Sequence, residues 1–140
     1  GEILLQRRAL SKKTWPGIWC NSCCGHPMLK ESPEEAAQRR LTYELGFSRI
    51  VLHMIDPDYR YTTELYGIVE NELCPILVGF TTLIPKPNPV EVEEIIWKDW
   101  SGFVLETEKF PERYATWTIE ETQIIKKSKK FQKLYKEYIS

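Results

Sequence analysis

Apolar and polar residues alternate along most of this chain in short segments bounded by proline, glycine and aspartate. Such segments are typical of β-strands, because successive side chains of a strand point to opposite faces of its sheet. The pattern predicts strands at about residues 2–8, 18–23, 50–55, 59–66, 68–82 and 92–97. Three prolines between residues 85 and 89 forbid regular pairing and predict a surface loop there.

The first helix is predicted from its capping residues. Ser32 and Glu35 have the spacing of a capping box, and a proline occupies the first helical position between them. We therefore predict a helix over Pro33–Leu45 that Gly46 ends. Its apolar face is formed by Ala37, Leu41 and Leu45.

A second capping box, formed by Thr118 and Glu121, predicts a helix that runs to about Tyr138. Its predicted buried side consists of Ile124, Phe131, Leu134 and Tyr138. Strands and helices thus interleave with no repeat and no linker, which indicates one domain of α/β or α+β class over residues 1–140, with mixed strand pairing.

Composition narrows the classes of function. The chain has 140 residues, 42% of them hydrophobic and 28% charged, as in globular proteins with a core. A net charge of −1 gives no indication of a nucleic-acid partner, and the basic run Lys126–Lys130 is interpreted as a solvated helix face. No apolar run is long enough to cross a bilayer, so no membrane partner is expected. Cysteines at 20, 23, 24 and 74 do not form a disulfide framework, which favours reduced thiols in the cytosol.

Cys24-Gly25-His26 is the first candidate for chemistry. A cysteine beside a flexible glycine could act as a proton donor or nucleophile, although most single cysteines are buried and inert. Cys20, Cys23 and His26 could alternatively hold zinc, with Cys74 or Cys24 as the fourth ligand.

Glu70 and Glu72 form the second candidate. Residues two apart on a strand share a face, and two carboxylates on one face repel unless a cation binds or one is protonated. A metal or acid–base role is favoured over an exposed polar face, because the segment continues into the apolar run 73–78.

Basic and aromatic side chains complete the candidate set. Arg40 and Glu44 lie one helical turn apart, either as a surface ion pair or as part of a pocket that holds phosphate oxygens and Mg²⁺. The other basic candidates are Arg7, Arg8, Lys12, Lys13 and Arg39. Trp117 could be a core residue or could face a cation formed in the pocket.

Residues 25–47 resemble the Nudix motif, G-x5-E-x7-R-E-U-x-E-E-x-G-U, in which U is a bulky apolar residue. The matching residues are Gly25, Glu31, Arg39, Leu41, Glu44, Gly46 and Phe47. Arg40 and Tyr43 stand where the motif has carboxylates. Because those carboxylates hold the divalent ions that activate water, the two departures predict a poor hydrolase.

Further stretches make the resemblance more specific. Over nearly its whole length the chain resembles the type I isopentenyl-diphosphate isomerases, which are built on the Nudix fold. The stretches that carry this resemblance are Arg7–Lys13, Trp15–Gly17, Cys24–Pro27, Asp58–Tyr61 and Gly67–Pro75. The resemblance implies a single Nudix-type domain with a mixed β-sheet sandwiched by helices. It also implies interconversion of isopentenyl and dimethylallyl diphosphate by protonation and deprotonation.

The resemblance also implies roles for individual residues. Cys24 and Glu72 would be the catalytic pair, Tyr61 would assist Glu72, and Trp117 would face the carbocation. Arg8, Lys12 and Arg40 would bind the diphosphate oxygens. His26, Glu70 and Glu72 would hold a divalent metal (Mn²⁺, Mg²⁺ or Zn²⁺), and Glu44 with the Cys24 carbonyl would hold the Mg²⁺ of the substrate. The expected protein is a cytoplasmic monomer with a small-molecule substrate.

One departure from the family concerns the metal. The family has two further histidine ligands upstream of the first strand, whereas this chain has only His26 and His53. We therefore expect either that an N-terminal segment is lacking from this chain or that the site binds its metal weakly. Two alternatives to the isomerase stay open: a Nudix hydrolase of a diphosphate substrate, and a non-catalytic module that binds a diphosphate.

Overall fold

The structure is a computed structural model that describes residues 1–139, without the side chains of Thr63, Leu65 and Glu70. Along the described chain, strands β1 and β2 are followed by helix α1, then by strands β3 to β7, and finally by helices α2 to α4. The strands are β1 Glu2–Arg8, β2 Trp19–Cys20, β3 Leu52–Asp56, β4 Arg60–Leu65, β5 Ile68–Leu73, β6 Ile76–Gly79 and β7 Val92–Asp99. The helices are α1 Pro33–Leu45, α2 Trp100–Lys109, α3 Thr116–Lys127 and α4 Lys129–Ile139.

The described strands form three antiparallel sheets. β1 lies between β2 and β7, β3 pairs with β6, and β4 pairs with β5. The expected α+β class is confirmed. In the part of the chain that is described, the one parallel pairing is the isolated bridge between Trp19 and Tyr114, so mixed pairing is limited to that contact.

Strand β1 joins two parts of the core, because its successive side chains point to opposite faces. Leu4 packs with Leu41, Leu45 and Phe47, whereas Leu5 packs with Phe103 on the other side. A third cluster is aromatic and contains Trp15, Tyr59, Tyr61 and Trp117, together with Cys20, Ile76 and Ala115. The candidate site lies against this third cluster.

Helix α1 begins and ends as its sequence predicts. The Ser32 hydroxyl accepts the Glu35 N–H at 3.1 Å, and the Glu35 carboxylate accepts the Ser32 N–H at 3.2 Å. Gly46 ends the helix with φ 70°, a left-handed conformation that favours glycine. Its buried face differs from the predicted one by one residue, because Ala36 rather than Ala37 is buried. The carboxylate of Glu44 is also buried, at 4% exposure.

The prediction of a single C-terminal helix is wrong. The segment forms two helices, α3 and α4, separated at Ser128, and α3 begins at Thr116 rather than at Thr118. Its N-cap residue, Ala115, makes no side-chain capping bond. Phe131 is buried as predicted, whereas Tyr138 is 52% exposed. Helix α2 was not predicted.

Two strand predictions were too long. The segment 68–82 divides into β5 and β6 because Pro75 lies between them and lacks the N–H that a ladder requires. The segment 18–23 contributes only β2, and the residues after Cys20 turn away into a loop. Among the described residues, no helix is both long and apolar enough to span a membrane.

Candidate active site

The loop after β2 is held at both ends. Asn21 donates its side-chain N–H to the Cys23 carbonyl at 2.9 Å, and its backbone N–H donates to the Thr118 hydroxyl at 3.1 Å. Further along, Arg39 donates to the His26 carbonyl at 3.0 Å and to the Glu31 carboxylate at 3.0 and 3.1 Å. Arg39 therefore fixes the loop rather than reaching into the site.

Gly25 is required by a close approach. A Cβ added to it would lie 2.3 Å from Cγ of Arg40, so any side chain here would move the stem of that arginine. The glycine thus brings the backbone around Cys24 against the helix face that carries Arg40 and Glu44.

The thiol of Cys24 packs against the aromatic cluster, beside Cys74. Asn21 Oδ1 lies 3.5 Å from its sulfur. The hydrogen bond with Cys74 and burial raise the pKa of the Cys24 thiol well above its usual value, and the nearby carboxylate of Glu121 acts in the same direction. Cys24 is consequently a neutral thiol at neutral pH, able to give up a proton only to a partner brought close to it.

Glu72 lies on β5 directly opposite Tyr61 of β4. Side chains of directly opposed residues on an antiparallel pair lie side by side, so the register places Tyr61 and Glu72 next to each other on one face of the sheet. Glu72 Oε2 also lies 2.6 Å from Nδ1 of His26. The structure thereby joins the Cys24 loop to β5 through His26 and Glu72. The Glu70 side chain lies outside the described residues.

Four aromatic rings pack against one another beside Cys24, and we call this part of the site the aromatic pocket: Trp15, Tyr59, Tyr61 and Trp117. The Tyr61 and Trp117 centroids are 5.6 Å apart, and those of Trp15 and Trp117 are 5.8 Å apart. All four rings are at most 7% exposed. In the described part of the chain, the indole N–H groups of Trp15 and Trp117 are buried without a hydrogen-bond partner. A buried unpaired donor is unfavourable and is suited to a bound acceptor.

Glu121 is a site residue that the sequence prediction missed. It is 6% exposed, and its Oε1 lies 3.6 Å from the sulfur of Cys74. Burial raises the pKa of this carboxyl well above its usual value, and the adjoining Cys74 adds to the shift. A signal was available: Glu121 follows Trp117 by one helical turn, so the two share a face.

On the other side of the Cys24 loop lies a group of charges that we call the charged cluster: Lys12, Arg40, Glu44 and Glu91. Arg40 Nε donates to Glu44 Oε2 at 2.9 Å, and Arg40 Nη2 lies 3.5 Å from Glu91 Oε2. The same Glu91 oxygen accepts from Lys12 Nζ at 2.5 Å. Lys12 and Arg40, predicted to bind one ligand, therefore converge on one carboxylate that the sequence prediction did not include.

Arg8 has a different position from Lys12 and Arg40. Its Nε and Nη2 donate to the Thr14 carbonyl at 3.1 and 2.8 Å. These bonds close the turn that carries Lys12. Tyr43, which replaces a motif carboxylate, has its ring 5.0 Å from the Arg40 guanidinium carbon.

The donor groups for metals fit in part. His26 with Glu72 offers an imidazole and a carboxylate, the ligand types that Zn²⁺ and Mn²⁺ accept. Glu44 offers a carboxylate, and Cys23 Sγ lies 3.2 Å from it and 4.0 Å from the Cys24 carbonyl, so the two predicted Mg²⁺ ligands are neighbours. Among the described residues, no group of three or more His, Cys, Asp and Glu side chains is arranged so that it could hold a metal ion.

A zinc site of Cys20, Cys23 and His26 does not agree with this geometry. Cys20 is buried at 4% exposure, which raises its pKa to about 12. Cys23 donates to Glu44, whereas His26 lies against Glu72. The three side chains face different partners.

Comparison with known proteins identifies the family of this chain. Residues 1–117 match the NUDIX domain. The chain belongs to the Nudix domain family. It is 48% identical over 107 residues to an isopentenyl-diphosphate Δ-isomerase of Saccharopolyspora erythraea, an alignment that covers 76% of this chain and 55% of that protein. It is 45% identical over 120 residues to one of Escherichia coli O1:K1 / APEC, covering 85% of this chain and 66% of that protein.

These relatives are longer proteins, and the chain spans 55–66% of their length. Among solved structures, this chain is similar to DR0079 from Deinococcus radiodurans, with a TM-score of 0.61 and 15% identity. The match covers all of this chain and 76% of the DR0079 chain. At that identity the similarity supports the fold alone.

Proposed function

We propose that this Nudix protein is an isopentenyl-diphosphate isomerase. The observation that carries the proposal is the arrangement of two unlike regions on either side of one loop. The aromatic pocket, with Cys24 and Glu72 at its edge, could hold a five-carbon alkene. The charged cluster, reached through Gly25, could hold a diphosphate. The isomerase relatives support the same assignment.

The proposed chemistry requires a strong, positioned acid, because an unactivated alkene is a very weak base. Cys24 keeps its proton through its hydrogen bond with Cys74 and through burial, and Glu72 lies beside both Tyr61 and His26. We assign proton donation and removal to these two groups on opposite faces of the alkene. Tyr61 orients the Glu72 carboxyl, and the face of Trp117 stabilises the tertiary cation in a pocket that excludes water.

The charged cluster grips the diphosphate in this proposal. Lys12 and Arg40 supply donors for its oxygens, and Arg8 fixes the turn that carries Lys12. Arg40 and Tyr43 replace two carboxylates of the Nudix motif, so the diphosphate is bound without the metal set that activates water for its cleavage.

Two divalent cations are part of the proposal. His26 and Glu72, with Glu70, would hold the first, and Glu44 with the Cys24 carbonyl would hold the Mg²⁺ of the substrate. When bound, these cations neutralise phosphate charge and acidify a neighbouring carboxyl group. The four free cysteines support a reducing, cytosolic setting, and we propose a monomer.

Transfer of deuterium tests the function. The full-length protein is incubated with isopentenyl diphosphate and Mg²⁺ in deuterated water, and label is followed into dimethylallyl diphosphate by mass spectrometry. We expect incorporation that requires the divalent cation. If the protein binds the substrate and no label appears, the isomerase proposal is wrong. Phosphate release from diphosphate substrates, measured in parallel, would indicate the hydrolase instead.

A further inference from the structure

Glu91 occupies the centre of the charged cluster although nothing in the proposed reaction calls for a second carboxylate there. One of its oxygens contacts both Lys12 Nζ, at 2.5 Å, and Arg40 Nη2, at 3.5 Å. Its side chain is 12% exposed, so water screens these contacts only weakly. The two cations come from different parts of the chain, one from the turn after β1 and the other from α1.

The backbone fixes Glu91 independently of its side chain. Its carbonyl accepts the Ala9 N–H at 3.0 Å, at the end of β1, and its N–H donates to the Asn88 carbonyl at 3.0 Å. Asn88 in turn donates its N–H to the Glu44 carbonyl at 2.8 Å. Glu91 is therefore tied to both segments that supply the cations, and its carboxylate is a fixed point between them.

We propose that Glu91 is a positioning residue for anion binding, whose carboxylate holds Lys12 and Arg40 together in the arrangement that a diphosphate requires. Without it, two like charges would repel, and two long side chains would have to lose their rotamer freedom when the anion binds. An ammonium and a guanidinium each carry several N–H donors, and the contacts with Glu91 and Glu44 occupy only part of that capacity. The anion can consequently bind beside Glu91 without displacing it. This inference rests on the proposed function of the same site.

The test measures binding of pyrophosphate, with and without Mg²⁺, by titration calorimetry. We expect Glu91→Gln to weaken pyrophosphate binding about tenfold, which corresponds to about 1.4 kcal/mol. The KM for isopentenyl diphosphate should rise by a similar factor while kcat changes by less than about twofold, because the effect is on binding. Glu91→Asp should recover part of the affinity, since it keeps the charge.

The matched control is Glu94→Gln on β7. Glu94 also pairs with an arginine, Arg7 at 3.5 Å, but its side chain is 54% exposed and lies outside the charged cluster. This variant removes the same charge and should leave pyrophosphate affinity unchanged within about twofold. An equal loss in both variants would mean that net charge alone acts, and would overturn the positioning role.

A double-mutant cycle separates positioning from a merely structural role. Lys12→Gln should cost less affinity in the Glu91→Gln background than in the native protein, because the lysine is then already unconstrained. Additive losses contradict the proposal, as does tighter pyrophosphate binding by Glu91→Gln, which would show that the carboxylate competes with the anion. If Glu91→Gln does not fold, Glu91→Asp carries the same comparison. Glu91-dependent pyrophosphate binding without deuterium incorporation would refute the isomerase and leave this inference intact.

Discussion

The aromatic pocket and the charged cluster lie on either side of one short loop, and they differ in the surroundings of their ionisable side chains. In the charged cluster, each carboxylate has a cation within 2.5 to 3.5 Å. Beside the aromatic pocket, the partly buried Cys24 and the buried Glu121 both lie next to Cys74, and both have a pKa well above the usual value. The paired charges of the first region suit it to bind an anion, whereas in the second region Cys24 and Glu121 hold their protons more tightly than usual.

This difference indicates that substitutions in the two regions should affect different kinetic constants. Changes at the pocket should lower turnover and spare anion binding. Changes in the charged cluster should weaken anion binding and spare turnover. Gly25, Cys23 and the Cys24 carbonyl join the two regions.

The largest expected effect is that of Cys24→Ala. Loss of a positioned proton-transfer group should lower kcat on the order of 10³-fold. Pyrophosphate affinity should stay within about twofold of the native value, because the thiol contributes nothing to the charged cluster. Deuterium incorporation and calorimetry measure the two quantities. Cys20→Ala, another buried thiol of the same cluster, is the control and should keep turnover within a few-fold. Near-native turnover of Cys24→Ala would remove Cys24 from the proposed mechanism.

Arg40→Gln tests the other side of the comparison. We expect KM to rise by about 10²-fold and kcat to fall much less, since the guanidinium acts in binding and its loss also leaves Glu44 buried without its cation. Steady-state kinetics with isopentenyl diphosphate measures both. Arg49→Gln, which removes an exposed arginine just beyond the same helix, should leave KM within about twofold. A drop in kcat alone would show that the two regions are not separable.

Much of this arrangement was predictable because it depends on local sequence. The capping box of α1, the i,i+4 spacing of Arg40 and Glu44, and the strand positions of Tyr61 and Glu72 all follow from neighbouring residues. The resemblance to the isomerases then suggested which of these residues belong to one site.

Other parts could not be predicted because they depend on contacts between distant segments. Glu91 meets Lys12 across 79 positions of sequence, and nothing in its own neighbourhood distinguishes it from other surface glutamates. Pairing of that kind is visible only after the chain has folded.

The wrong prediction at Thr118 is instructive for a physical reason. Thr118 and Glu121 have the spacing of a capping box, but both are used by the tertiary structure instead. The Thr118 hydroxyl donates to Asn21 Oδ1 at 3.0 Å, and Glu121 turns towards Cys74. Helix α3 consequently begins earlier, at Thr116, without a side-chain cap. A local motif was overridden because its two polar groups bond to other segments, Thr118 to the Cys24 loop and Glu121 to Cys74.

Glu121→Gln should have the smallest of these effects on activity and a distinct effect on stability. The folded-state pKa of this carboxyl lies above its unfolded value of about 4.5, so the native state binds the proton more tightly. Native stability from this group is therefore fully present below that unfolded value and is lost as pH rises towards the folded pKa. Glutamine is neutral at every pH. Between about pH 5 and about pH 8, the free energy of unfolding of the variant should therefore fall by about 1 kcal/mol less than that of the native protein. Urea unfolding at the two pH values measures the difference.

Glu112→Gln, which replaces an exposed carboxylate, should leave the pH dependence unchanged. Parallel pH profiles for Glu121→Gln and the native protein would mean that Glu121 is ionised in the fold, and that the contrast between the two regions does not extend to this residue.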